Sequence, residues 1–292
     1  MIKETNKPKC ALVVFMLMIF FNTTFGQEKP NIIFIMADDL GYADVGVYGQ
    51  KLIKTPNIDQ LSAEGMRFTD YYSGAAVCAP ARSVLMTGLH TGHTRIRGNF
   101  GKGGVVGLAG KQGRVPIKEE DLTLAEVLQE NGYRTGMIGK WGLGEPNTSG
   151  EPNKKGFDYF YGFYNQRRAH SYYPDYIWEN TNKVKLHGNE NEQNHQYTHN
   201  LFADESMNFI DRNYQKPFFL YLPVCIPHSR YELPDYGIYT HKKGWTDLQK
   251  KYAAMVTRLD ETIGRIMITL EALRISDNTY IFLNSHKGRA EI

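Results

Sequence analysis

The sequence predicts an α/β fold with a central, mostly parallel sheet flanked by helices. Three observations predict it. Short, continuous apolar runs of strand length recur along the chain, as in strands buried on both faces. Segments of helical period alternate with them, which implies right-handed crossovers. Several of these runs also lead into polar residues of chemical interest, and α/β sheets bind ligands beyond the carboxyl ends of their strands.

In chain order, Asn31–Ala37 is the first apolar run and ends at Asp38-Asp39. Residues 57–64 and the segment after Cys78 read as helices. Thr123 caps a helical segment that runs to Asn131, with Gly132 closing it. A strand over 133–139 follows and ends at Lys140. Residues 199–213 form another helix, and Pro217–Val224 a strand that leads to His228. The amphipathic stretch 247–273 sets Leu248, Tyr252, Met255, Leu259, Ile263, Ile266 and Leu270 on one face. The last strand, 279–283, ends near His286 and Lys287.

Two segments break this alternation. Residues 98–114 are glycine-dense and carry Lys102, Lys111 and Arg114, which fits either a surface loop or a loop over an anionic ligand. Residues 157–178 are crowded with aromatics, which fits either packing or stacking on sugar rings.

The chain of 292 residues is 41% hydrophobic, enough for a large core, and its net charge of +3 contains no basic block that would suggest nucleic acid. Lys3, Lys7 and Lys9 precede an apolar run over 11–21 and a small residue at Gly26. This reads as a signal peptide over 1–26, followed by a mature chain over 27–292 that is exported to the periplasm or secreted and meets a membrane only for export. Beyond it lie Cys78 and Cys225, for which a disulfide is an alternative in an oxidising compartment.

The candidate chemistry centres on Cys78-Ala79-Pro80-Ala81-Arg82. Proline is tolerated in the first turn of a helix, so Cys78 belongs at or near a helix N-terminus, where an anion is favoured. Arg82, four residues on, shares its face. A reactive sulfur aimed at an oxyanion and a buried cysteine beside a chance arginine both fit these residues. A cysteine-phosphatase loop would need its arginine where Val84 stands. Asp38 and Asp39 at a strand end fit either a hard-cation site for calcium or magnesium or a solvated turn.

Cys-X-Pro-X-Arg resembles the signature of the formylglycine-dependent sulfatases. Residues 30–41, Gly139-Lys140-Trp141-Gly142-Leu143-Gly144, Ile226-Pro227-His228 and residues 252–264 resemble further motifs of that family, in its order. The resemblance implies an alkaline-phosphatase-like fold and hydrolysis of a sulfated carbohydrate or aryl sulfate. It also implies formylglycine made from Cys78 by a maturation enzyme. Asp38, Asp39 and Cys78 would hold calcium, or magnesium, and Arg82 would hold the hydrated aldehyde. Lys140 and His228 would bind and protonate the sulfate ester. Related phosphodiesterases and phosphonate hydrolases share the signature.

Three departures accompany the resemblance. The family's histidine two residues after the motif lysine is Gly142 here, and His170, or else His93, is the candidate replacement. The family's final metal motif, Asp-Asn-Gly or Asp-His-Gly, is replaced by Asn284-Ser285-His286-Lys287-Gly288. The chain also stops at Ile292, where the family continues into a C-terminal subdomain. The expectation is therefore a sulfatase domain incomplete at its C-terminal end, with a non-catalytic glycan-binding remnant as the competing reading.

Overall fold

A computed structural model describes residues 29–100 and 114–288. The export segment 1–26, Lys102 and Lys111 lie outside the described residues. Seven strands form one sheet: β1 (Asn31–Ala37), β2 (Arg134–Lys140), β3 (Tyr159–Phe163), β4 (Tyr176–Glu179), β5 (Asn182–Lys185), β6 (Phe218–Pro223) and β7 (Thr279–Ser285), in the order β5-β4-β3-β2-β6-β1-β7. All neighbours are parallel except β3/β4 and β4/β5. The sheet is thus mostly parallel, as predicted.

Among the described residues the α-helices are α1 (Pro56–Glu64), α2 (Cys78–Thr87), α3 (Leu124–Glu130), α4 (Thr198–Asn213) and α5 (Asp247–Ala272). The central strand β6 is buried throughout because helices cover both faces of the sheet. On one face Ile33, Ile35, Leu220 and Leu222 pack with Phe202 and Phe209 of α4 and Met255, Leu259 and Ile263 of α5. On the other, Met137, Phe219 and Tyr221 pack with Met86 of α2 and Ala125 of α3. The predicted stripe of α5 is buried except at Leu248, which stays exposed near the helix start. Thr123 caps α3 in a reciprocal capping box with Glu126, and Gly132 follows in the left-handed region.

The sequence reading missed β3, β4 and β5. The aromatic stretch that hides them is mainly core: Phe157, Phe160, Phe163, Tyr164 and Tyr172 are buried. Gly162 of β3 lies beside Gly139 of β2, and a Cβ there would come within 2.0 Å of the Gly139 carbonyl, so the two strands meet through glycine. The disulfide alternative does not hold: Cys78 and Cys225 are both free. Among the described residues no helix is long and apolar enough to cross a membrane.

Candidate active site

The carboxyl ends of four parallel strands deliver the candidate residues to one cluster. β1 runs into Asp38 and Asp39, β2 ends at Lys140, β6 leads to His228, and β7 leads to His286 and Lys287. Asp39 adopts a left-handed conformation (φ 69°), which aspartate tolerates better than most residues. The Asp38 amide donates to the Ile226 carbonyl (3.1 Å), joining the loops after β1 and β6. The hydroxyl of Tyr172 lies 3.0 and 2.8 Å from the carbonyls of Cys225 and His228 and steadies the loop that carries His228. Tyr172 was visible in the sequence only as one aromatic among many.

Cys78 is the first residue of α2 and is 5% exposed, with Sγ 3.8 Å from Asp38 Oδ1. Asn99 accepts the Ala79 amide (3.1 Å), while Asn99's own carbonyl accepts from Arg114 Nη1 (2.6 Å). Arg114, from the glycine-dense segment, thereby braces the start of α2. Arg82 is fully buried; it donates to the Lys140 carbonyl (2.5 Å) and lies 3.8 Å from Asp38 Oδ1. Lys140, also fully buried, places Nζ 2.6 Å from Asp38 Oδ2. His228 Nε2 stands 3.5 Å from Asp39 Oδ2.

His170 joins the cluster from the loop after β3. Its Nε2 is 3.3 Å from Lys140 Nζ, and its ring stacks on His228 at 3.9 Å between centroids. His93 is exposed on the turn after α2, outside these contacts. At Gly142, where the family places a histidine, φ is +82° and a Cβ would lie 2.2 Å from Gln166 Nε2. Gln166, buried and absent from the sequence reading, occupies the space a side chain there would need.

The electrostatics follow from this crowding. Burial would raise the Asp38 carboxyl, but Lys140, Arg82 and the imidazoles outweigh it and hold the group well below the usual carboxylate range. Asp39 is also lowered: its burial is overcome chiefly by His286 and Lys287. Burial likewise opposes the Cys78 thiolate, yet His228, His286 and Lys140 bring its pKa down to about 6. At Cys225 burial outweighs the influence of Lys140 and Arg82 and pushes the thiol up to about 12.

His170 is lowered to about 3 by burial and by Lys140 and His228, so its imidazole is neutral near pH 7. His199 of α4, 2.9 Å from Thr262 Oγ1, is lowered to about 4 by burial. Both refuse protons that the unfolded chain accepts below the ordinary value of 6.5. The stability they contribute is therefore full above that pH and is lost as pH falls toward 4. The expected loss is up to about 1.4 kcal/mol per pH unit for each group. The raised His286 works in the opposite direction, since it gains its proton on folding. Urea unfolding at pH 7 and pH 5 should show lower stability at pH 5, and His199→Gln should reduce the difference. An unchanged difference in that variant would refute the assignment.

Asp38, Asp39, Cys78 and His228 offer ligand atoms within 4.8 Å of one another and form a possible metal site of mixed donors. A calcium shell is a different matter, because calcium takes six to eight oxygen ligands. Here the acidic pair supplies the carboxylates, and nitrogen groups already stand on them: His286 Nε2 is 3.3 Å from both Oδ1 atoms and Lys287 Nζ 2.7 Å from Asp39 Oδ2. Asn284 donates its amide nitrogen to Tyr71 Oη (2.9 Å), and its Oδ1 is buried without a hydrogen-bond partner. These residues do not fit calcium. The surroundings of Cys78 do fit a hydroxylated side chain, since they are polar and rich in donors.

A helix-terminal cysteine beside buried basic side chains stands at the carboxyl edge of a parallel sheet, the edge at which α/β proteins bind their ligands. The chain belongs to the Sulfatase family, whose family model matches residues 30–289. It is 31% identical over 285 residues to N-acetylgalactosamine-6-sulfatase of Canis lupus familiaris, covering 91% of this chain and 51% of that protein. It is 34% identical over 278 residues to the arylsulfatase of Hemicentrotus pulcherrimus, covering 89% and 47%. The solved structure of Ps i-CgsB in complex with k-i-k-neocarrahexaose superposes with a TM-score of 0.75 at 32% identity, covering 90% of this chain and 59% of that one. The chain spans about half the length of the curated relatives it matches.

Proposed function

We propose that this chain carries the catalytic site of an exported sulfuric ester hydrolase, acting on a sulfated carbohydrate or an aryl sulfate. The observation that carries the proposal is the meeting of Cys78, at the start of α2, with Lys140, His228 and His170 in one largely buried cluster around Asp38. Matured to formylglycine by a formylglycine-generating enzyme, position 78 supplies a hydrated aldehyde as the nucleophile on sulfur and the means to release sulfate afterwards. Lys140, anchored on Asp38, offers its remaining N–H donors to the sulfate oxygens and offsets charge that grows as the ester bond breaks. Arg82 holds the Lys140 backbone and adds a cation behind Cys78. His228, beside Asp39, gives a proton to the departing alcohol oxygen. His170, neutral and within reach of Lys140, accepts the proton that the missing histidine at Gly142 would take.

Calcium or magnesium, expected from the acidic pair, would meet Asp38 and Asp39 with nitrogen groups already beside them. The relatives support a carbohydrate: one is named for N-acetylgalactosamine, and another is solved with a neocarrahexaose. The charged, apolar start of the chain supports export.

The test is co-expression with a maturation enzyme, then peptide mass at Cys78 and turnover of sulfated sugars and 4-nitrophenyl sulfate. Loss of the sulfur atom together with turnover is expected. Conversion without turnover would favour the non-catalytic binder, a reading that Lys287 on Asp39 favours. Faster turnover of phosphodiesters than of sulfates would favour the phosphodiesterase reading.

A further inference from the structure

We infer that Asp38 and Asp39 are held by this chain's own nitrogen groups, with His286 and Lys287 standing in the place of a bridging divalent ion. His286 Nε2 lies 3.3 Å from one oxygen of each carboxylate, an ion-pair approach between them that makes no hydrogen bond to Asp39 Oδ1. The other oxygen of each carboxylate faces an ammonium: Lys140 at 2.6 Å from Asp38 Oδ2 and Lys287 at 2.7 Å from Asp39 Oδ2. Arg82 approaches Asp38 from behind. Two lysine side chains, the Arg82 guanidinium and the His286 ring therefore surround the two carboxylates.

The arrangement is imposed by the sheet. β7 pairs in parallel with β1 in a register that sets Met36 opposite Asn284 and Ala37 opposite Ser285. The next residues, Asp38 and His286, are therefore neighbours across the strand ends. Ser285 Oγ accepts the Leu40 amide at 3.1 Å and donates to the Lys287 carbonyl at 2.8 Å, tying both turns together. His286 is 1% exposed. A divalent cation would have to displace this imidazole and share the space with two ammonium groups, neither of which has a lone pair to offer.

The inference concerns the same cluster as the sulfatase reading but rests on geometry alone. Its test reads metal binding rather than turnover, so either reading can fail without the other. The full chain is stripped with EDTA and titrated calorimetrically with calcium chloride and magnesium chloride, with thermal melts in parallel. We expect no binding tighter than about 1 mM and a melting-temperature difference below about 1 °C between EDTA and 1 mM calcium. The double variant His286→Asp/Lys287→Asn should instead melt at least about 5 °C higher with calcium than with EDTA. Submillimolar calcium binding by the unaltered chain, or a folded double variant with no calcium response, overturns the inference. If the double variant does not fold, the titration of the unaltered chain decides alone.

Discussion

Cys78→Ala in the matured protein is expected to lower sulfate-ester turnover by at least about 10⁴-fold, the scale on which a nucleophile's removal is felt. The fold should survive. Cys78 begins α2 without taking part in a disulfide, and alanine keeps the backbone that opens the helix. Only the polar group at position 78 and its interactions with Asp38, His228 and His286 are lost, so the melting temperature should stay within about 3 °C of the unaltered chain. Cys225→Ala is the control: that thiol is buried, and its high pKa makes it unreactive near pH 7. Initial rates on 4-nitrophenyl sulfate, with melts on the same samples, make the comparison. Turnover by Cys78→Ala within tenfold of the unaltered protein would remove Cys78 from the chemistry.

Lys140→Met is expected to act on stability as well as on rate. Lys140 and Asp38 are both fully buried, and the ammonium sits 2.6 Å from the carboxylate. Removing one partner of a buried pair costs about 3–5 kcal/mol, because the other charge keeps its burial and loses its compensation. For a chain of this size that corresponds to a fall of roughly 10 °C in melting temperature. Asp38 would retain His286 and the more distant Arg82, which places the cost toward the lower end. Lys140→Met/Asp38→Asn should cost less than the two single variants together, by about 1–3 kcal/mol. Strict additivity in denaturant unfolding would show that the two groups do not depend on each other. Sulfate binding, read calorimetrically, should be lost in Lys140→Met and retained in Cys225→Ala.

The parts of the fold that were legible in the sequence are those with a local physical signature. Asn31–Ala37 and Phe218–Pro223 read as central strands because a strand buried on both faces needs an unbroken apolar run. α5 declared itself by period, and α3 by its Thr123–Glu126 capping box. β3 did not, because Tyr159-Phe160-Tyr161-Gly162-Phe163 combines aromatics with a glycine that in isolation reads as a loop. That glycine is explained only by the neighbouring backbone of Gly139, which a local window does not contain. β4 and β5 are a short antiparallel hairpin of four residues each, too brief for a clear alternation.

The candidate site divides along the same line. By itself the sequence determined the residue types at the strand ends and the pentapeptide that opens α2, since a strand's terminus and a proline in a first helical turn are local facts. It also exposed the departures at Gly142, His286 and Lys287. What those departures mean was decided by tertiary structure. Register between β1 and β7, strands separated by more than two hundred residues, set His286 between two carboxylates and Lys287 against one of them. The loop after β3 brought His170 onto His228, and Gln166 closed the space beside Gly142. Electrostatic compensation falls off with distance, so the state of each buried charge depends on partners that only the folded chain brings near.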